Sequence, residues 1–73
     1  MSKAIYLLRK NDMNIIKNIL LNNFNFELCY EKKREMILKN EEVLISCKKK
    51  YIFIYFYDNM SNQNINSIIE YIS

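Results

Sequence analysis

Three groups of residues in this chain are of a type and spacing suited to chemistry. Lys48, Lys49 and Lys50 run directly into Tyr51, Phe53, Tyr55 and Tyr57, and two further basic clusters stand at Arg9-Lys10 and Lys32-Lys33-Arg34. Adjacent lysines neutralise phosphate, and rings at alternate positions of an extended strand line one face, where bases can stack. The remaining candidates are the Glu41-Glu42 pair and two thiols, Cys29 and Cys47. Glu41-Glu42 reads as a solvated turn, and Cys29 gains reactivity only if nearby lysines lower its pKa. The chain has no histidine and no glycine. It therefore lacks the commonest general base and any glycine loop for cradling phosphate, and no Cys/His/Asp spacing suits zinc or iron. We expect a non-enzymatic chain that needs no cofactor and no metal.

These residues must be positioned by very little protein. At 73 residues the chain has room for a single domain, 1–73, and a domain of this size removes only about 60% of its unfolded surface from water. Ile, Asn, Lys and Tyr dominate, while Gly, Pro, His and Trp are missing. That bias points to an A/T-rich genome, such as that of a virus or mobile element. It also obliges Asn to occupy the left-handed positions where Gly would serve. Two cysteines make no disulfide framework, no apolar leader is recognisable, and the longest apolar run, residues 51–57, is far below the roughly 18 residues of a membrane helix. The expected location is cytoplasmic, with no membrane partner.

Periodicity supplies the elements. From Asp12 onward Met13, Ile16, Ile19 and Leu20 recur at helical spacing, with Asn11 or Asp12 as N-cap. Ala4 to Leu8 reads as further turns of that helix, since Ile5, Leu8 and Ile15 keep its period, or alternatively as a short strand. Residues 24–30 alternate as a strand, with Phe24, Phe26, Leu28 and Tyr30 on one face and Asn25, Glu27 and Cys29 on the other. Residues 31–40 fit a short helix or a short strand. Residues 42–47 and 51–57 form a hairpin about the lysine tripeptide. Ile65, Ile68, Ile69 and Ile72 mark a closing amphipathic helix, capped by Ser61, Asn62 or Asn64. The expected fold is α+β: a small antiparallel or mixed sheet of three to four strands, in the order α-β-x-β-β-α, with two helices packed on one face.

Chain reversal turns this order into a charge map. All eleven cations lie in residues 1–50. Alternating strand directions gather Arg9, Lys10, Lys32, Lys33, Arg34, Lys48, Lys49 and Lys50 at one end, and Glu41, Glu42 and Asp58 at the other. A net charge of +3 understates such a pole, because distant acids are screened beyond about 8–10 Å. Solvated turns of no specific function are the plainer alternative. Parity splits residues 51–57 into Ile52, Ile54 and Phe56 against Tyr51, Phe53, Tyr55 and Tyr57. The ring face is either buried core, a protein or self-association surface, or a base-stacking platform.

KKYIFIYF is similar to the RNP1 octet of RNA-recognition motifs, with Lys49 at the basic position and Tyr51, Phe53 and Phe56 at the aromatic ones, although both glycines of that motif are replaced. NIIKNILLNNFNFELCY, then EVLISCKKKYIFIYFYD, then the last helix resembles the α-β-β-β-α layout of small ribonucleoprotein proteins, especially those of the signal recognition particle Alu domain. That resemblance implies RNA binding through basic turns and an open sheet face. The expectation is a non-enzymatic binding module in a ribonucleoprotein or other nucleic-acid assembly, with RNA as partner. The eight cations at one end would contact phosphate, and Tyr51, Phe53, Tyr55 and Tyr57 would stack or form an interface. The alternative is a protein–protein interaction module or small accessory subunit, homodimeric or bound to another protein, using the same rings.

Overall fold

A computed structural model describes residues 3–57 and 62–72. Among these the order is β1 (Lys3–Leu8), α1 (Met13–Asn23), β2 (Glu27–Lys32), β3 (Glu35–Lys39), β4 (Val43–Cys47), β5 (Tyr51–Phe56) and α2 (Asn62–Ile72). The strands form one five-stranded antiparallel sheet in the order β1-β5-β4-β3-β2. The expected α+β class therefore holds, but the sheet has more strands than the three to four anticipated.

Both additional strands come from segments open to two readings. Residues 3–8 are a strand rather than the start of the helix. Their alternation is genuine, with Ile5 and Leu7 half-buried and Ala4, Tyr6 and Leu8 exposed. The helical spacing of Ile5 and Leu8 is a coincidence of short sequence. Helix α1 begins only after Asp12, whose carboxylate accepts a hydrogen bond from the Asn14 N–H at 2.8 Å and so caps it. Residues 31–40 take the strand option: β2 runs to Lys32, turns at residues 33–34, and returns as β3.

The strand expected over residues 24–30 begins later, at Glu27. Phe24 ends α1, its N–H donating to the Leu20 carbonyl at 3.3 Å, and the Phe26 N–H reaches the same oxygen at 3.2 Å. Between them Asn25 adopts φ 57°, the left-handed reversal that a chain without glycine assigns to Asn. The expected alternation also fails. The pairing shifts between Leu28 and Tyr30, so Leu28 lies opposite Leu38 while Tyr30 lies opposite Ile37. An extra residue at Cys29 flips the phase and sends Leu28 and Tyr30 to opposite faces.

The core lies between one sheet face and the two helices. Ile16 and Leu20 of α1 and Ile68 and Ile72 of α2 pack with Met36, Leu38, Val43, Ile45, Cys47, Ile52, Ile54 and Phe56. At the opposite pole from the lysine hairpin, Asn40 builds the β3–β4 turn, its side-chain oxygen accepting from the Glu42 and Val43 N–H groups at 2.8 and 2.9 Å. Asp58 and Ser61, named above as an acid of one pole and as a cap, lie outside the described residues. The side chain of Ile65 does as well.

Leu38 is fully buried on a central strand, so Leu38→Ala removes packing with no solvent to fill the gap. We expect a loss of about 2–5 kcal/mol in urea unfolding, a large share of the stability of so small a domain. The exposed Ile15→Ala should change it by no more than about 0.5 kcal/mol.

Candidate nucleic-acid interface

Three separate stretches of backbone deliver cations to one end of the sheet. β2 rises to the turn at 33–34, β4 rises to the turn at 48–50, and β1, antiparallel to β5 with Leu8 opposite Tyr51, ends beside that second turn. Together with the start of α1 they enclose an open recess of about 560 Å³ lined by Arg9, Lys32, Lys33, Arg34, Lys49 and Lys50, along with Asp12, Met13, Asn14 and Glu31. Six of the eight anticipated cations thus share one concavity. Lys10 and Lys48 adjoin it in sequence and are exposed, but do not line it. At the opposite end a second recess is lined by Glu41 and Glu42 with Phe24, Asn25, Glu27, Lys39, Asn40 and Tyr57.

The two acids in the basic recess are locally engaged. Asp12 caps α1, and Glu31 pairs with Lys17 at 2.8 Å. They offset less of the positive field than their formal charge suggests. Arg9 stands apart from the lysines. Its Nε donates to the carbonyls of Lys48 and Lys49 at 3.3 and 3.0 Å, its Nη1 to the Asn11 carbonyl at 2.8 Å, and its Nη2 to Lys49 again. Its charge adds to the pole, while its donors tie the end of β1 to the lysine turn. We therefore assign it the role of positioning that turn.

The parity split of β5 is observed. Ile52, Ile54 and Phe56 are buried under the helices, and Tyr51, Phe53 and Tyr55 lie on the other face, which no described element covers. Tyr57 falls just beyond the strand, towards the acidic end. Four features of this face were not anticipated. Tyr6 joins it from β1, its ring centroid 4.7 Å from Phe53 in an edge-on contact and 4.9 Å from Tyr51. Leu8 extends it from the same strand, 63% exposed. Leu44 lies opposite Tyr55 on β4. On β2, Tyr30 sits beneath Lys32, whose Nζ is 5.7 Å from the ring, and donates to Glu35 at 3.3 Å. The alternation in residues 3–8 carried the signal for Tyr6 and Leu8, whereas nothing local revealed the Cys29 bulge that reorients Tyr30. The Tyr6 hydroxyl is held above the ordinary tyrosine range by desolvation and then by the neighbouring Tyr51 hydroxyl.

The two thiols differ sharply. Cys29 is exposed at the bulge, and Cys47 is fully buried. Burial pushes the Cys47 pKa up to about 11, against a smaller lowering by the Arg9 charge. Among the described residues no group of His, Cys, Asp and Glu could hold a metal ion, and no helix is long and apolar enough to cross a membrane.

Fold and site together define a small α+β domain with one sheet face under two helices, the other bearing rings, and cations gathered at one end. Compared with known proteins, the chain matches no family model, no curated protein and no solved structure. The reading of the site rests on its geometry.

Two outcomes follow for Cys47. A thiol reagent should modify Cys29 in the native protein and reach Cys47 only on unfolding, as mass spectrometry would register. In addition, the unfolded chain releases the Cys47 proton near pH 9 and the native chain only near 11. Its contribution to stability is therefore complete below about pH 9 and falls as pH rises towards about 11. Urea titrations across this range should show a decline that is shallower in Cys47→Ala.

Proposed function

We propose that this protein is a non-enzymatic binding module for single-stranded nucleic acid, RNA above all, working within a ribonucleoprotein assembly. The observation that carries the reading is the convergence of Lys32, Lys33, Arg34, Lys49 and Lys50 on one recess, immediately next to the ring row that starts at Tyr51. Lysines on a concave surface concentrate field where a phosphate backbone can run. The recess opens on the helix side, where Met13 and Asn14 line it, and the rings occupy the bare face, so the turn at residues 48–50 is the ridge between them. A strand crossing that ridge would leave its phosphates with the lysines and lay its bases over Tyr51, Phe53 and Tyr6. Stacking of this kind contributes roughly 1–3 kcal/mol per base and is indifferent to sequence.

A second reading, a protein-interaction module, is favoured by one observation. The exposed rings already pack against one another, Tyr6 edge-on to Phe53 and Phe53 parallel to Tyr55 at 6.2 Å, as in a preformed apolar patch. Salt separates the two. Binding of a single-stranded oligoribonucleotide should weaken with salt, with a logarithmic slope of about −0.7 per phosphate contacted. K48E/K49E/K50E should lower affinity by about tenfold or more and flatten that slope. Affinity unchanged by the triple reversal, measured by fluorescence anisotropy on a variant of native circular dichroism, would remove the nucleic-acid reading.

A further inference from the structure

The two edges of the sheet are built differently. β2 carries Glu27, Glu31 and Lys32 and is interrupted by the bulge at Cys29, devices that stop an edge strand from acquiring a neighbour. β1 has no bulge, and its one charge, Lys3, stands at its first residue. Between Lys3 and Arg9 every residue is uncharged, the pairing with β5 is regular throughout, and Tyr6 and Leu8 are 53% and 63% exposed. The Arg9 N–H donates to the Lys50 carbonyl at 2.7 Å, one step beyond the Leu8–Tyr51 pair. This fixes the alternation of the ladder: Ile5 and Leu7 direct their backbone groups to β5, and Ala4, Tyr6 and Leu8 direct theirs away from it. Among the described residues no strand pairs with that outer edge.

We propose that β1 pairs antiparallel with β1 of a second copy of this chain, about a twofold axis at Tyr6. In this register Tyr6 faces its own counterpart and Ala4 faces Leu8 of the other copy, so every outward N–H and C=O of these three residues is bonded on both strands. A slip of two residues would leave some of them unpaired. The faces also agree. Tyr6, Ala4 and Leu8 all belong to the ring face, so the two ring rows merge, while Ile5 meets Leu7 on the helix side. Charge selects the same arrangement. Antiparallel strands set the basic end of one copy alongside the Glu41-Glu42 end of the other, whereas parallel strands would bring two basic ends together. The uncharged stretch from Ala4 to Leu8 offers a charged peptide nothing to recognise but matches its own copy residue for residue, while the register sets Lys3 opposite an Arg9 whose guanidinium is held by the Lys48, Lys49 and Asn11 carbonyls. This inference is independent of the nucleic-acid reading.

The test is the mass of the full chain by light scattering coupled to size exclusion, after nuclease treatment and across a wide concentration range. The protein should pass from 8.9 kDa to twice that mass as concentration rises. A4K/L8K sets lysines directly opposite one another at both ends of the ladder and should remain at the monomer mass with native circular dichroism. A4E/L8K sets opposite charges at the same two points and should dimerise again. Tyr6→Pro, whose lost N–H points out of the sheet, should also be monomeric, providing a second disruption independent of charge. A wild-type protein monomeric at every concentration, a dimer that A4K/L8K and Tyr6→Pro leave intact, or an A4E/L8K that stays monomeric overturns the proposal.

Discussion

Strand β5 is hydrogen-bonded along both edges, to β4 through a tight hairpin and to β1 across most of the length of the chain. The second of these ladders organises the rest of the molecule. It fixes the direction of β1, and so brings Arg9 to the lysine turn instead of leaving it on a free helix. It sets Tyr6 against Phe53, which widens a single row of rings into a patch. It also makes β1 the uncovered edge of the sheet. Pairing so distant in sequence costs loop-closure entropy before any contact offsets it, and the aliphatic rows on the helix side supply the compensating burial. Ile52 and Ile54 of β5 are fully buried there.

Once the sheet is a regular antiparallel meander, the charge distribution is a matter of direction alone. Successive turns must fall at alternating ends, so the two lysine-rich turns share one end and the Asn40–Glu42 turn occupies the other. Arg9 then binds the carbonyls of the very turn that carries Lys48 and Lys49. The guanidinium thereby supports a group of like charges that would otherwise repel one another, because it is held by carbonyl dipoles. Asp12 and Glu31 line the same recess, but one is spent on a helix cap and the other on Lys17.

Much of this was legible in the residues, and what was hidden has physical reasons. The parity of residues 51–57 exposed strand β5 and its two faces, because alternation of Ile with rings has no helical counterpart. Chain reversal gave the basic end correctly even with residues 31–40 open to two readings, since a helix and a strand both carry the chain from one end to the other. Residues 3–8 stayed open between helix and strand because six residues offer too few periods to separate 2 from 3.6, and because the deciding partner, β5, lies far along the chain. The phase of β2 was unreadable for another reason. A bulge at Cys29 is a property of the pairing with β3, and no residue type announces it in a chain without glycine.

The ladder between β1 and β5 is therefore the place to test the whole description. Nuclear magnetic resonance of the protein in solution should give cross-strand contacts between the Tyr6 and Phe53 rings and slow amide exchange at Ile5 and Leu7, whose N–H groups face β5. Medium-range contacts from Ile5 to Leu8 with no contact to Phe53 would make residues 3–8 a helical turn. That result would contradict the position of Arg9, the extended ring patch and the open edge together.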